Sequence, residues 1–535
     1  MPDIKKSLHI LASATLLPLT AHPLVFVALL MLACPVCLTM ADSTNMRHII
    51  PYLTADICIS YAATCLLTFL PTRPLRIVAT AVVFTLYAAM LILDIYCMAL
   101  LRTEMNQDYI GIILESNSGE IFEFLSHTVF RHTLIVAAII LIAGAAIALC
   151  VLKRKAIGCA IGAMGAFIGR NRTATLIALL LSVAITAADP SVFEKHPIVR
   201  LKWFYIGYDY PDLKEFYTHP DLKDTAAAHP DHLVFIIGES LSRSHCSTMG
   251  YPLPTQPRLE KLQREGALYA FDHVASLRTS TVRALRTLLS TYRDDIGTDW
   301  WACTSIPEIL SLCGYKTYWL SNQAETGMHD VFATQYARLC DYHCFTTHNN
   351  TFNSDEALIT MSDTVLRDTA ARKAVVYHLL GQHLQYKRRY PAERIKFSEA
   401  DYADKPEHQR SMLAHYDNSV AYNDSIIAEI IGLYADKNTV VVYMPDHGQD
   451  LYETNPYHCG HAQNTAASIQ TAVQIPLFIY VSESYRREHP DIVALMKRYE
   501  HREWKSSETL YTLMQLAGYR FANNDDVRKY SILGH

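Results

Sequence analysis

Val441-Val442-Tyr443-Met444-Pro445-Asp446-His447-Gly448 decides how the C-terminal half of this chain is read. An apolar, β-branched run closed by turn residues reads as a buried strand, so a carboxylate and an imidazole stand together at its C-terminal end. Open parallel α/β sheets gather ligands outside the carboxyl ends of their strands. Asp446 and His447 both carry atoms that zinc accepts, and Gly448 permits the sharp exit that would aim them at one ion.

Other strand ends extend the set. From His232 onward, apolar runs alternate with amphipathic stretches. Strands are expected at 233–237, 317–320, 374–380, 439–444 and 477–481, and helices at 258–265, 281–291, 306–312, 418–435 and 507–516. That alternation predicts a parallel sheet covered on both faces by helices, an α/β/α sandwich. The first strand runs into Gly238-Glu239-Ser240, and the third into His378-Leu379-Leu380-Gly381-Gln382-His383. The loop after Asp446-His447 carries Tyr457-His458-Cys459-Gly460-His461. A lone Glu or His after a strand is more often a cap or a surface group. Together they place acidic and imidazole groups along one edge.

The first 190 residues have a different composition. Apolar segments at 24–41, 55–70, 75–100, 133–152 and 173–188 are candidates for five membrane spans. Lys5, Lys6, Arg73, Arg76, Lys153, Arg154, Lys155, Arg170 and Arg172 fall on one side of that arrangement. The segment between the third and fourth spans holds Glu104, Asp108, Glu115, Glu120 and Glu123. The positive-inside rule then puts the N-terminus in the cytoplasm and everything after about residue 189 outside it. A cleaved signal peptide is not expected, because further spans follow the first. Residues 1–190 are thus read as a transmembrane domain, 191–230 as an aromatic, interfacial linker and 231–535 as an exported domain. A net charge of −5 and the lack of a basic stripe argue against nucleic-acid binding.

Of thirteen cysteines, Cys246, Cys303, Cys313, Cys340, Cys344 and Cys459 lie in the exported half. An even number there permits three disulfides, with Cys340 and Cys344 the nearest pair. A nucleophile is suggested by Thr279-Ser280-Thr281, just before a helical pattern. Hydroxyls at that point are ordinary N-caps. The same place also offers free backbone N–H groups to a phosphate, and a metal-bound threonine there could attack phosphorus.

The ordered set Gly238-Glu239-Ser240, Thr279, His378-x4-His383, Asp446-His447-Gly448 and Gly460-His461 resembles the phosphoethanolamine transferases of Gram-negative bacteria. Tyr251-Pro252-Leu253-Pro254-Thr255-Gln256-Pro257 extends the resemblance, which covers nearly the whole chain. It implies a multi-pass inner-membrane enzyme with a periplasmic, alkaline-phosphatase/sulfatase-like domain. By position, Glu239, Thr279, Asp446 and His447 would hold one zinc ion, and Thr279 would carry phosphoethanolamine covalently. His383 and His461 would bind the phosphate, protonate a leaving group or hold a second zinc, with His458 the alternative to His461. The family's Asn-x3-Thr-Asn-x2-Glu pattern, associated with the donor headgroup, is met by Ser116, Asn117 and Glu120, while Ile112 replaces its first Asn.

The implied reaction moves phosphoethanolamine from phosphatidylethanolamine to lipopolysaccharide, on lipid A or a core sugar, by a monomeric enzyme among membrane lipids. Several lipid A-modifying members have Cys-Gly where this chain has Leu277-Arg278, which removes one family disulfide and weighs against lipid A as acceptor. Three other readings compete. A formylglycine sulfatase needs Cys or Ser followed by x-Pro-x-Arg, and Thr279-Ser280-Thr281-Val282-Arg283 has only the Arg. A phosphoglycerol transferase of the lipoteichoic-acid-synthase type shares the spans, the threonine and a metal. A non-catalytic glycolipid-binding module would not need the full ligand set.

Overall fold

Period-two alternation sorts the exported half into two cores, one on each face of a single sheet. Leu233, Phe235 and Ile237 join Val440, Val442 and Met444 on one face. Val234, Ile236, Val441 and Tyr443 line the other. Strands buried on both sides read as continuous apolar runs, which is why these were legible. The computed structural model describes residues 2–39, 49–96, 154–189, 193, 196–202, 229–293, 299–325, 332–347, 354–457, 459–461, 465–519 and 530–533. They fall into two compact units, one holding the described residues up to 202 and the other those from 229 onward.

The first unit is helical. Among the described residues, Ile50–Thr68 and Arg73–Asp94 are each long and apolar enough to cross a bilayer. Two bent pairs, Ala12–Ala21 with Pro23–Leu32 (73°) and Gly158–Arg170 with Arg172–Ala188 (85°), raise the count to four if each is one span. Pro23, which has no N–H to donate, stands at the first bend. The span expected at 133–152 lies outside the described residues, as does most of the expected linker. Charge inside this apolar unit is paired. Arg200 grips Asp94 with two 2.7 Å hydrogen bonds, both side chains fully buried. Asp56 accepts a 3.0 Å hydrogen bond from Ser60 and faces His196 at 3.4 Å.

The second unit is built on an eight-stranded sheet. Its strands are β1 (His232–Gly238), β2 (Leu268–Ala275), β3 (Lys316–Ala324), β4 (Tyr342–Thr347), β5 (Lys373–His378), β6 (Thr439–Pro445), β9 (Gln474–Val481) and β10 (Trp504–Lys505). A separate hairpin pairs β7 (Asp450–Leu451) with β8 (Cys459–Gly460). The order is β10-β2-β9-β6-β1-β5-β3-β4. The expected all-parallel sheet is corrected at one strand: β9 runs antiparallel to both β6 and β2. Three strands of this sheet lack an expected counterpart: Asp272-His273 breaks the apolar run of β2, β4 is a polar edge strand, and β10 has only two residues.

Helices cover both faces, as expected. Thr281–Leu289, Ile306–Leu312 and Glu508–Leu516 pack on one core. Pro257–Arg264, Ala357–Arg367 and Glu407–Gly432 pack on the other. The last begins at Glu407, well before the expected 418, and encloses the polar stretch Tyr416, Asp417, Asn418 and Ser419.

The expectation of disulfides is also corrected. All six cysteines of this unit are free thiols. Cys340 is buried in one core while Cys344 packs against the other, so the sheet itself separates the nearest pair.

Candidate metal centre and nucleophile

β1 and β6 are adjacent and in register, Gly238 opposite Pro445. Their next residues, Glu239 and Asp446, therefore leave the same edge side by side. The ligand atoms of Glu239, Asp446 and His447 lie within 4.8 Å of one another, and all three residues are buried. His447 Nε2 is 3.2 Å from Asp446 Oδ2 and 3.6 Å from Glu239 Oε1. Its Nδ1 lies 2.9 Å from the Gly448 carbonyl, a contact that puts the proton on Nδ1 and leaves the Nε2 lone pair facing the carboxylates.

This geometry fits a divalent cation. Burial first, then the like charge of Asp446, holds the Glu239 carboxyl well above the usual carboxylate range. Asp446 Oδ2 is buried without a hydrogen-bond partner among the described residues. The one basic side chain at ion-pair distance from either carboxylate there is His447. Two carboxylate oxygens and an imidazole nitrogen are a donor set that zinc accepts.

The hydroxyl that joins this cluster is Thr281, not Thr279. Thr281 Oγ1 lies 3.3 Å and 3.5 Å from the two Glu239 oxygens and 3.4 Å from His447 Nε2. It is the first residue of the Thr281–Leu289 helix, with Ser280 as N-cap. Thr279 is two residues ahead in the connecting loop, and no hydrogen bond links it to Glu239, Asp446 or His447 among the described residues. The hydroxyl beside Glu239 and His447 thus stands two positions after the expected Thr279. Ser276 fixes this loop from below: its Oγ lies 2.6 Å from the Asp446 carbonyl and 2.8 Å from that of Arg278.

The histidines divide. The His461 ring is 4.1 Å from that of His447, held there beside the β7–β8 pairing of Asp450 with Gly460. His383 is half-buried in the loop after β5, and burial, then Arg389 and His447, holds its pKa down. It is thus a neutral imidazole beside the cluster. His378, the last residue of β5, is buried edge-on to Trp319. His458, Ser116, Asn117 and Glu120 lie outside the described residues.

Two further residues shape the site and were not singled out from sequence. Asp355 is fully enclosed, and its carboxylate accepts from Leu380 N at 2.8 Å, Gly381 N at 3.0 Å and Asn322 Nδ2 at 2.7 Å. That clamp presses the turn of the His383 loop onto Glu239, whose carbonyl accepts from Gln382 N at 2.9 Å. Gly381 has φ +48°, and a Cβ on it would sit 2.9 Å from both N and O of Glu239. Gly381→Ala is expected to cost about 2 kcal/mol or more, from backbone strain and this collision, and to displace Glu239. A thermal melt of the purified chain with and without added metal reads both effects.

An eight-stranded α/β/α sandwich with carboxylates and imidazoles at its strand ends defines a class. The chain belongs to the sulfatase family, whose profile matches residues 231–519. Phosphoethanolamine transferases are among its relatives. Phosphoethanolamine transferase EptC of Escherichia coli is 29% identical over 318 residues, 58% of this chain and 54% of that protein, so the chain spans about half the length of that curated relative. The periplasmic domain of the E. coli EptC protein, solved in complex with Zn, superposes with a TM-score of 0.53 at 26% identity, covering 59% of this chain and 89% of that domain. The integral membrane lipooligosaccharide phosphoethanolamine transferase A of Neisseria meningitidis shares the fold over 97% of both chains, with a TM-score of 0.63 at 19% identity.

Proposed function

We propose that this protein transfers phosphoethanolamine from phosphatidylethanolamine to a lipopolysaccharide acceptor, through a covalent intermediate on Thr281. Residues 1–190 serve as the inner-membrane domain, 191–230 as the interfacial linker and 231–535 as the periplasmic catalytic domain. The observation that carries the reading is the Thr281 hydroxyl set against Glu239 and His447 at a helix N-terminus. Sequence relatedness to phosphoethanolamine transferases supports the transferred group, and the lipooligosaccharide enzyme sharing the fold supports the acceptor class.

Glu239, Asp446, His447 and Thr281 would hold one zinc ion. When bound, it lowers the pKa of the threonine hydroxyl and neutralises charge on the phosphoryl oxygens. Thr281 Oγ attacks phosphorus, forming the P–O bond as the bond to the diacylglycerol oxygen breaks. Free N–H groups in the first turn of its helix hold a phosphoryl oxygen. His383, which enters as a neutral imidazole, or His461 takes the Thr281 proton and passes it to the leaving oxygen. An acceptor hydroxyl or phosphate then attacks the same phosphorus, and the bond to Thr281 breaks. Two displacements at one site predict ping-pong kinetics.

Intact-protein mass spectrometry of the chain purified with native phospholipid should show a phosphoethanolamine adduct that maps to Thr281. A phosphoglycerol adduct would instead make the protein a phosphoglycerol transferase.

A further inference from the structure

Ser240 stands between the two carboxylates that face His447. It is almost wholly buried and adopts φ +57°, a left-handed conformation that non-glycine residues rarely take. Each of its polar atoms is used. The hydroxyl donates to Glu239 Oε1 at 2.7 Å, and the amide donates to Asp446 Oδ1 at 3.0 Å. The carbonyl accepts from the Tyr416 hydroxyl at 2.8 Å, and that hydroxyl in turn accepts from Ser242 N at 2.8 Å. Asp446 Oδ1 is also taken by the His447 amide at 2.8 Å.

What remains is one oxygen per carboxylate. Glu239 Oε1, 3.6 Å from His447 Nε2, is the oxygen held by the Ser240 hydroxyl; Glu239 Oε2 is the one nearer to Thr281 Oγ1, and Asp446 Oδ2 lies 3.2 Å from His447 Nε2. The strained turn and the tyrosine beneath it thus present two single oxygens to the same space as the hydroxyl and the imidazole. Hydrogen-bonded partners of metal ligands commonly fix orientation in this way.

We propose that Ser240 is a positioning residue that makes Glu239 and Asp446 one-oxygen ligands, Glu239 through Oε2 and Asp446 through Oδ2. With its hydroxyl absent, Glu239 Oε1 is released and the carboxylate is free to rotate or bind through both oxygens. The inference rests on the metal reading of the site, and the test keeps the two apart.

The full chain in detergent is titrated with Zn2+ against a competing chelator, and the Co2+-loaded protein is examined by its visible absorption. Ser240→Ala and Ser240→Gly are expected to bind Zn2+ about 10–100-fold more weakly than wild type. Their Co2+ bands should weaken, as an added oxygen raises the coordination number. Ser240→Thr, which keeps the hydroxyl, should retain wild-type affinity and spectrum. Ser240→Gly relaxes the left-handed backbone, so it folds even where Ala does not. Wild-type affinity and spectrum in Ser240→Gly would overturn the role of the hydroxyl alone. Failure of the wild-type chain to take Zn2+ would overturn the metal reading, and this proposal with it.

Discussion

Thr281→Ala should abolish transfer, lowering kcat/KM by at least about 10^4-fold, as the loss of a covalent nucleophile does elsewhere. Thr279→Ala should leave most of the activity. The two hydroxyls differ by only two positions, yet only Thr281 reaches Glu239 and His447. Both are half-buried, Thr279 in the loop and Thr281 in the first turn of the helix that follows it. The contrast therefore isolates nucleophilicity from local packing. Thr281→Ser keeps an attacking oxygen and should retain part of the rate. The measurement is transfer from a fluorescent phosphatidylethanolamine, with the adduct followed on the same samples. An adduct that survives Thr281→Ala and vanishes in Thr279→Ala would reverse the assignment.

Removing the metal should inactivate the protein and lower its melting temperature, with both effects reversed by Zn2+. A ligand present at a thousand times its dissociation constant stabilises the folded state by about 4 kcal/mol. The site adds a sign that can be checked. Without a cation, Glu239 and Asp446 are two buried carboxylates, and the Glu239 pKa is raised by burial and by its neighbour's charge. A carboxyl whose folded pKa lies above its unfolded value destabilises the fold once it must ionise. Stability of the metal-free protein should therefore fall as pH rises from the ordinary glutamate range through the raised value. Glu239→Gln has nothing to ionise there. It should be more stable than wild type when both are metal-free at neutral pH, and less stable when Zn2+ is supplied. Melting curves across pH, with chelator and with Zn2+, measure all four conditions. A Glu239→Gln protein that melts below metal-free wild type would contradict the electrostatic account.

The ligands were legible because each follows an apolar run that could only be a strand. Glu239 after β1 and Asp446-His447 after β6 need no tertiary information beyond the sheet. The threonine was harder to place. The sequence places the helix start at Thr281, where the structure has it, but does not tell which hydroxyl of Thr279-Ser280-Thr281 faces the strand ends, because the loop before them starts from β2, whose pattern Asp272-His273 interrupts. Asp355 was invisible for a different reason. Its partners, Asn322, Leu380 and Gly381, come from other parts of the chain and meet only in the fold. Ser240 looked like one residue of a motif, and its left-handed backbone has no sequence signature. The direction of β9 was equally unreadable, since an apolar run looks the same from either end.

That reversed strand has a consequence for how such a protein can diversify. β6 ends with Pro445 at the edge that bears the Glu239–Asp446–His447 cluster, and β9, running the other way, starts at that edge with Gln474. The chain between them needs no crossover helix to regain the sheet. The described residues between Asp446 and Val473 begin and end on the same rim, with Asp446 and His447 at the start and His461 farther along. Lengthening or shortening the distal part of that excursion leaves the strand register untouched. The loop can thus change in length while Asp446 and His447 stay anchored at its root.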